Sequence, residues 1–209
     1  MNINDQHKQA LVESKSDLLI SKIFKYFPPV RPDRLIDVVV QREWVDGLRM
    51  MEFFDGRSWL DLGQEEVGIP PEELVVNLSP VGFYCYLPQF MVSCLRIRRY
   101  GWIDEMLLPV GFDMDDVVEY FSMNNESLLD SSSFFYQVHH ARVAYLKEKY
   151  NKEQLDCVAS YVELEMTHGY WDILEHYREP EGRVFNMIEE EEKRFQYFLR
   201  KYVGFWRDC

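Results

Sequence analysis

SPVGFYCYLPQFMVSCL, Ser79 to Leu95, is the most apolar stretch of the chain. Serine followed by proline is a helix start: the hydroxyl can accept an orphan backbone N–H, and proline has no N–H to waste in the first turn. Phe83, Tyr84, Tyr86 and Phe90 recur at one-, three- and four-residue spacings, the pattern of a helix packed in a core rather than of a cofactor box. Pro88 lies inside the run and predicts a kink or a split into two helices. Arg96, Arg98 and Arg99 then place positive charge where a helix carboxyl end favours it. No charged side chain occurs from Leu74 to Leu95, but two prolines and several polar residues make this a buried core helix rather than a membrane span.

Outward from this helix the patterns are helical as well. LLISKIFKYF, Leu18 to Phe27, has helical apolar spacing, with Ser16 or Asp17 as its cap and Pro28-Pro29 as its stop. Asp33 to Phe54 carries a second helical pattern that ends at the turn dipeptide Asp55-Gly56, although LIDVVV within it could instead form a short strand. Trp59, Leu60 and Leu62 open a short segment closed by Gly63, and Pro70-Pro71-Glu72-Glu73 reads as another helix start. After a looser region with one short helix at Asp113 to Phe121, Phe134 to Tyr150 reads as a helix. Asn151 and Gln154 then outline a capping box for a helix reaching Glu165 or further. Arg183 to Tyr202 forms a terminal helix. The expected architecture is all-α: a single helical domain of about eight helices over residues 1–166, with a helical extension over 167–209 packed on it.

Composition narrows the function. The 209 residues are 47% apolar and 15% aromatic, enough to bury a core. The formal net charge is −13, which opposes binding to nucleic acid because phosphate contacts need Lys and Arg. The same balance steers basic partners towards the chain. Cys85, Cys94, Cys157 and Cys209 form no CxxC pair and read as reduced thiols in a cytoplasmic protein. No secretory signal pattern opens the sequence, and no membrane association is expected. There is no GxGxxG, no Walker loop and no Gly-x-Ser-x-Gly elbow, so neither a cofactor nor catalysis is expected.

Charge is distributed unevenly. No Lys or Arg occurs from Tyr100 to Ala141, where Asp104, Glu105, Asp113, Asp115, Asp116, Glu119, Glu126 and Asp130 are all acidic. Residues 1–100 hold 12 basic and 14 acidic side chains, and residues 101–209 hold 11 and 22. Such a density of like charge suits a solvated face, or a docking face for a cationic protein. The second reading makes Asp113, Asp115, Asp116, Glu119 and Glu126 partner-binding residues, joined by the run Glu189, Glu190, Glu191 and Glu192 on the last helix. DMDDVVEY lacks the glycine and spaced oxygens of a calcium loop.

Glu165, His168, Asp172 and His176 are a weaker candidate. Spacings of three, four and four put them on one face of a continuous helix, and Glu-x-x-His is a spacing used in di-iron bundles. Only one copy is present, and Gly169 weakens the helix, so a solvated polar stripe is the first reading and a metal site the second.

WLDL at Trp59 to Leu62, the Ser79 to Leu95 run with its Leu87-Pro88, and YLKEKYNKEQLDCVASYVE at Tyr145 to Glu163 together resemble the bacterial domain-of-unknown-function family 6714, over roughly residues 18–166. The resemblance implies no catalytic residue. Small acidic bacterial proteins of this type often sit beside toxin genes as immunity proteins, so it implies a protein that binds and blocks a basic toxin or effector domain. A metal-dependent enzyme on the Glu165 face, and a scaffold or oligomer whose acids only solvate it, stay open. Oligomeric state and any role of Cys209 between chains are open too.

Overall fold

The computed structural model describes residues 3–40, 43, 45–62, 77–97, 134–176 and 185–208. These residues are 81% helical and contain no strand, so the chain is all-α. Six helices occur among them: α1 (Ile3–Tyr26), α2 (Val45–Phe54), α3 (Pro80–Ile97), α4 (Phe134–Lys149), α5 (Lys152–His176) and α6 (Phe185–Arg207). Two 3-10 turns, Leu35–Asp37 and Trp59–Asp61, complete the list. The helix start expected at Pro70-Pro71 and the short helix expected at Asp113 to Phe121 lie outside the described residues.

Helix α1 ends where the sequence demands. Pro28 has no N–H and disfavours helical geometry in the residue before it. The last helical bond is therefore Phe27 N–H to the Ile23 carbonyl, at 3.0 Å. Trp59 then fastens the corner, its indole N–H donating to the Pro28 carbonyl at 3.0 Å. The start of α1 differs from the expectation of a cap at Ser16 or Asp17: the helix begins at Ile3, and both residues lie within it. Ser16 shares a face with the buried Val12, Leu19 and Ile23, so it is a small core residue rather than a terminator.

The expected helical pattern over Asp33 to Phe54 is helical only from Val45. Its first half forms the turn Leu35–Asp37 and then a single antiparallel bridge between Val39 and Leu78. The bridge is held by Val40 N–H to the Asn77 carbonyl and by Ser79 N–H to the Val38 carbonyl, each 2.8 Å. Of the β-branched run only Val39 pairs in this way, and no sheet forms around it among the described residues. Helix α2 ends at Asp55-Gly56 as expected, with Gly56 at φ 65°, a left-handed position that suits glycine. The Tyr86 hydroxyl shares its one proton between the Arg57 carbonyl at 3.2 Å and the Phe54 carbonyl at 3.4 Å, covering that helix end.

Helix α3 starts at Ser79-Pro80 as read. Gly82 N–H donates to Ser79 Oγ at 3.0 Å, and the same hydroxyl donates to the Asp37 carbonyl. Gly82 has a reason of its own: a Cβ there would overlap the Val38 carbonyl oxygen and press on Leu78. Pro88 does not split the helix, which runs unbroken to Ile97. Proline at this position cannot donate to the carbonyl four residues earlier, that of Tyr84. The Tyr150 hydroxyl takes the vacant role, donating to the Tyr84 carbonyl at 2.9 Å.

The capping box at the start of α5 forms in full. Gln154 N–H donates to Asn151 Oδ1 at 3.0 Å, and Asn151 N–H donates to Gln154 Oε1 at 2.9 Å. Helix α5 then lies between α1 and α6, while α3 packs against α1, α4 and the Trp59 turn. One contiguous core joins Leu19, Ile23 and Phe27 of α1 to Phe83, Tyr86 and Met91 of α3, Leu146 of α4 and Val158 and Val162 of α5. Tyr202 and Trp206 of α6 belong to the same core. Side chains of this size each contribute about 1.5–3 kcal/mol on burial.

Candidate functional site

Burial sorts the chemically capable side chains first. Cys85 and Cys157 are buried thiols; loss of solvent pushes Cys85 up to about 12 and Cys157 up to about 11. A thiol held there is protonated at neutral pH and is a poor nucleophile. Arg142 of α4 is 2% exposed. Its guanidinium donates twice to the Leu78 carbonyl, once through Nε at 2.8 Å, and stands 5.5 Å from the centre of the Phe83 ring. Burial lowers its pKa to about 10, which still leaves it charged at neutral pH. It ties α4 to the Val39–Leu78 bridge, so its role is in the fold. Lys147 does the same between α4 and α6, donating to the Phe205 carbonyl at 2.9 Å near the α6 carboxyl end.

Of the acidic partner-binding candidates, Asp113, Asp115, Asp116, Glu119 and Glu126 lie outside the described residues. Glu189, Glu190, Glu191 and Glu192 follow the first turn of α6, which itself holds no acid, and Glu192 is exposed. The outer face of α6 is not acidic throughout. Glu192 borders an open depression of about 600 Å³ whose other lining residues are Lys193, Gln196, Tyr197, Arg200 and Lys201. The helix thus passes from the acidic run at Glu189 to Glu192 to a basic second half.

The candidate metal residues share one uninterrupted helix, since α5 runs through Gly169 to His176. The expectation of a solvated stripe fails at its first member, because Glu165 is only 1% exposed. It continues a register of buried residues, Gln154, Val158 and Tyr161, at steps of four, three and four. The solvent-facing strip of α5 is a different one, Asp156, Ser160, Glu163 and Thr167, all half-buried. The side chains of His168, Asp172 and His176 lie outside the described ones, and among those described no group of three or more potential metal ligands comes together.

That strip of α5 borders the feature that the sequence reading missed. Between α1 and α5 lies a cleft of about 170 Å³, lined by Leu11, Lys15, Leu18 and Lys22 on one side and Ser160, Glu163, Leu164 and Thr167 on the other. Leu11 and Leu18 are 52% and 59% exposed although they sit beside buried Val12 and Leu19. A signal was present in the sequence: leucines seven apart and lysines seven apart, offset by four. It was hidden by reading the helix as beginning at Leu18.

No described helix is long and apolar enough to cross a membrane. Compared with protein-family models, curated proteins and solved structures, the chain matches none.

Proposed function

We propose that the protein is a binding protein that neutralises a basic partner by covering it, in the manner of an immunity protein occluding a toxin or effector domain. The observation that carries this reading is the charge map: a 42-residue interval, Tyr100 to Ala141, with eight carboxylates and no Lys or Arg. Like charges at that density repel one another, and an opposing cationic surface relieves the repulsion while accelerating encounter. Asp113, Asp115, Asp116, Glu119 and Glu126 are the contact residues in this proposal, with Glu189 to Glu192 at its margin.

The test is capture of a partner from the native host by the wild-type protein and by a variant with Asp113, Asp115, Asp116 and Glu119 changed to Lys. The proposal expects the wild type to retain a basic protein that the variant loses. The same protein retained equally by both removes the acidic interval from the mechanism.

A second reading, a metal-dependent enzyme on Glu165, His168, Asp172 and His176, draws support from the unbroken course of α5, which keeps the four in one register. Elemental analysis of the folded protein separates the two: a stoichiometric transition metal favours the enzyme, and a metal-free folded protein removes it.

A further inference from the structure

We propose that the cleft between α1 and α5 is a docking groove for an acidic amphipathic helix of a partner protein, a surface separate from the acidic interval. Four observations converge on it.

The first is shape. Leu11 and Leu18 stand on the same face of α1, seven residues or about 10.5 Å apart along the axis, and both are more than half exposed. With Val12, Leu19 and Leu164 they form a continuous apolar strip along the cleft. The second is size. At about 170 Å³ the cleft is smaller than the roughly 300–1,000 Å³ of small-molecule pockets. It suits side chains projecting from a partner surface, and a helix with apolar anchors at i, i+3 or i+4, and i+7 presents such a row.

The third is charge. Lys15 and Lys22 are exposed, each four residues beyond one of the leucines, and neither has an ion-pair partner among the described residues. In a chain with an excess of 13 acids, two lysines without an ion-pair partner among the described residues, beside two exposed leucines, form a local cationic rim. The fourth is the opposite wall, whose polar groups are already occupied. Ser160 Oγ donates to the Asp156 carbonyl at 2.7 Å, and Thr167 Oγ1 donates to the Glu163 carbonyl at 2.6 Å. The Glu163 carboxylate accepts from Arg207 of α6 at 2.8 Å. The charge left to select an occupant is therefore that of the two lysines, and it selects carboxylates. A second copy of this chain is a poor occupant, since it would set lysine against lysine and add −13 to −13.

The experiment titrates the full-length protein against two fluorescein-labelled helical peptides of about 18 residues, roughly 27 Å long. Both carry leucines at the same i, i+4, i+7 positions; one has Glu on its flanks and the other Lys. Fluorescence anisotropy is expected to show saturable binding of the Glu peptide, at least about tenfold tighter than the Lys peptide and weakened by added salt. The Lys15→Glu/Lys22→Glu variant should reverse the preference. Leu11→Ser/Leu18→Ser should weaken binding about tenfold or more with unchanged helical circular dichroism, because both side chains are largely exposed. The charge reversal at Asp113, Asp115, Asp116 and Glu119 should leave this titration unchanged, which keeps it distinct from the proposed inhibitory surface. Equal affinity for the two peptides, or indifference to the lysine reversal, overturns the proposal. So does a dimer in sedimentation equilibrium that the leucine variant dissolves.

Discussion

Removing one oxygen atom tests how α3 accommodates its proline. Tyr150→Phe keeps the ring, which meets Phe27 edge-on at 5.1 Å and lies tilted against Tyr84 at 5.1 Å, and deletes only the hydroxyl that donates to the Tyr84 carbonyl. That carbonyl lacks its usual helical donor, because the residue four positions later is Pro88. An acceptor left unsatisfied costs about 1–3 kcal/mol, and this bond is partly rather than fully buried, so we expect a loss of about 1–2 kcal/mol. The decisive comparison is the same substitution in a Pro88→Ala background, where the backbone N–H restored at that position can donate to the Tyr84 carbonyl. There the cost should fall by about 1 kcal/mol, the coupling of a double-mutant cycle between dependent sites. Urea unfolding followed by circular dichroism, at constant denaturant dependence, measures all four proteins. An equal cost of Tyr150→Phe in both backgrounds would rule out the hydroxyl as the proline's remedy, as would a single-mutant cost below about 0.3 kcal/mol.

Further outcomes follow from other contacts. Gly82→Ala drives a methyl into the Val38 carbonyl and Leu78, and should destabilise by about 1–3 kcal/mol in the same urea assay. Asn151→Ala removes half of a formed capping box and should cost about 0.5–2 kcal/mol, with Asn151→Asp retaining most of the stability. Burial raises the Cys85 and Cys157 thiols above their ordinary value of 9.0. The unfolded chain therefore ionises first, and their contribution to stability is complete below pH 9 and falls as pH rises towards 11 to 12. Urea midpoints measured from about pH 8 upwards should decline beyond about pH 9, and replacing both cysteines by Ala should flatten that decline. In native protein at about pH 8, both thiols should alkylate far more slowly than in urea.

What the sequence made legible was mostly local. Ser79-Pro80, Asn151 with Gln154, and Asp55-Gly56 carry their geometry within a few residues, and each appears as read. The all-α class follows from the same periodicity. Misreadings arose where distant contacts decide. Ser16 resembles a cap until packing buries its face, and the bridge at Val39 depends on Leu78, far along the chain. Glu165 looked solvated because its spacing with His168, Asp172 and His176 gives a polar row; packing of α5 between α1 and α6 puts that row's first member inside. Pro88 was legible as an interruption, but its remedy lies on another helix's end, in a Tyr150 hydroxyl that no local pattern announces.

The proposed role depends above all on the acidic interval being the surface that meets a basic partner. Isothermal titration of the captured partner against wild type and against the fourfold reversal of Asp113, Asp115, Asp116 and Glu119, at low and high salt, addresses it. We expect affinity that falls as salt rises for the wild type and is lost in the reversed protein. Unchanged affinity in the reversed protein, with no dependence on salt, would contradict that role.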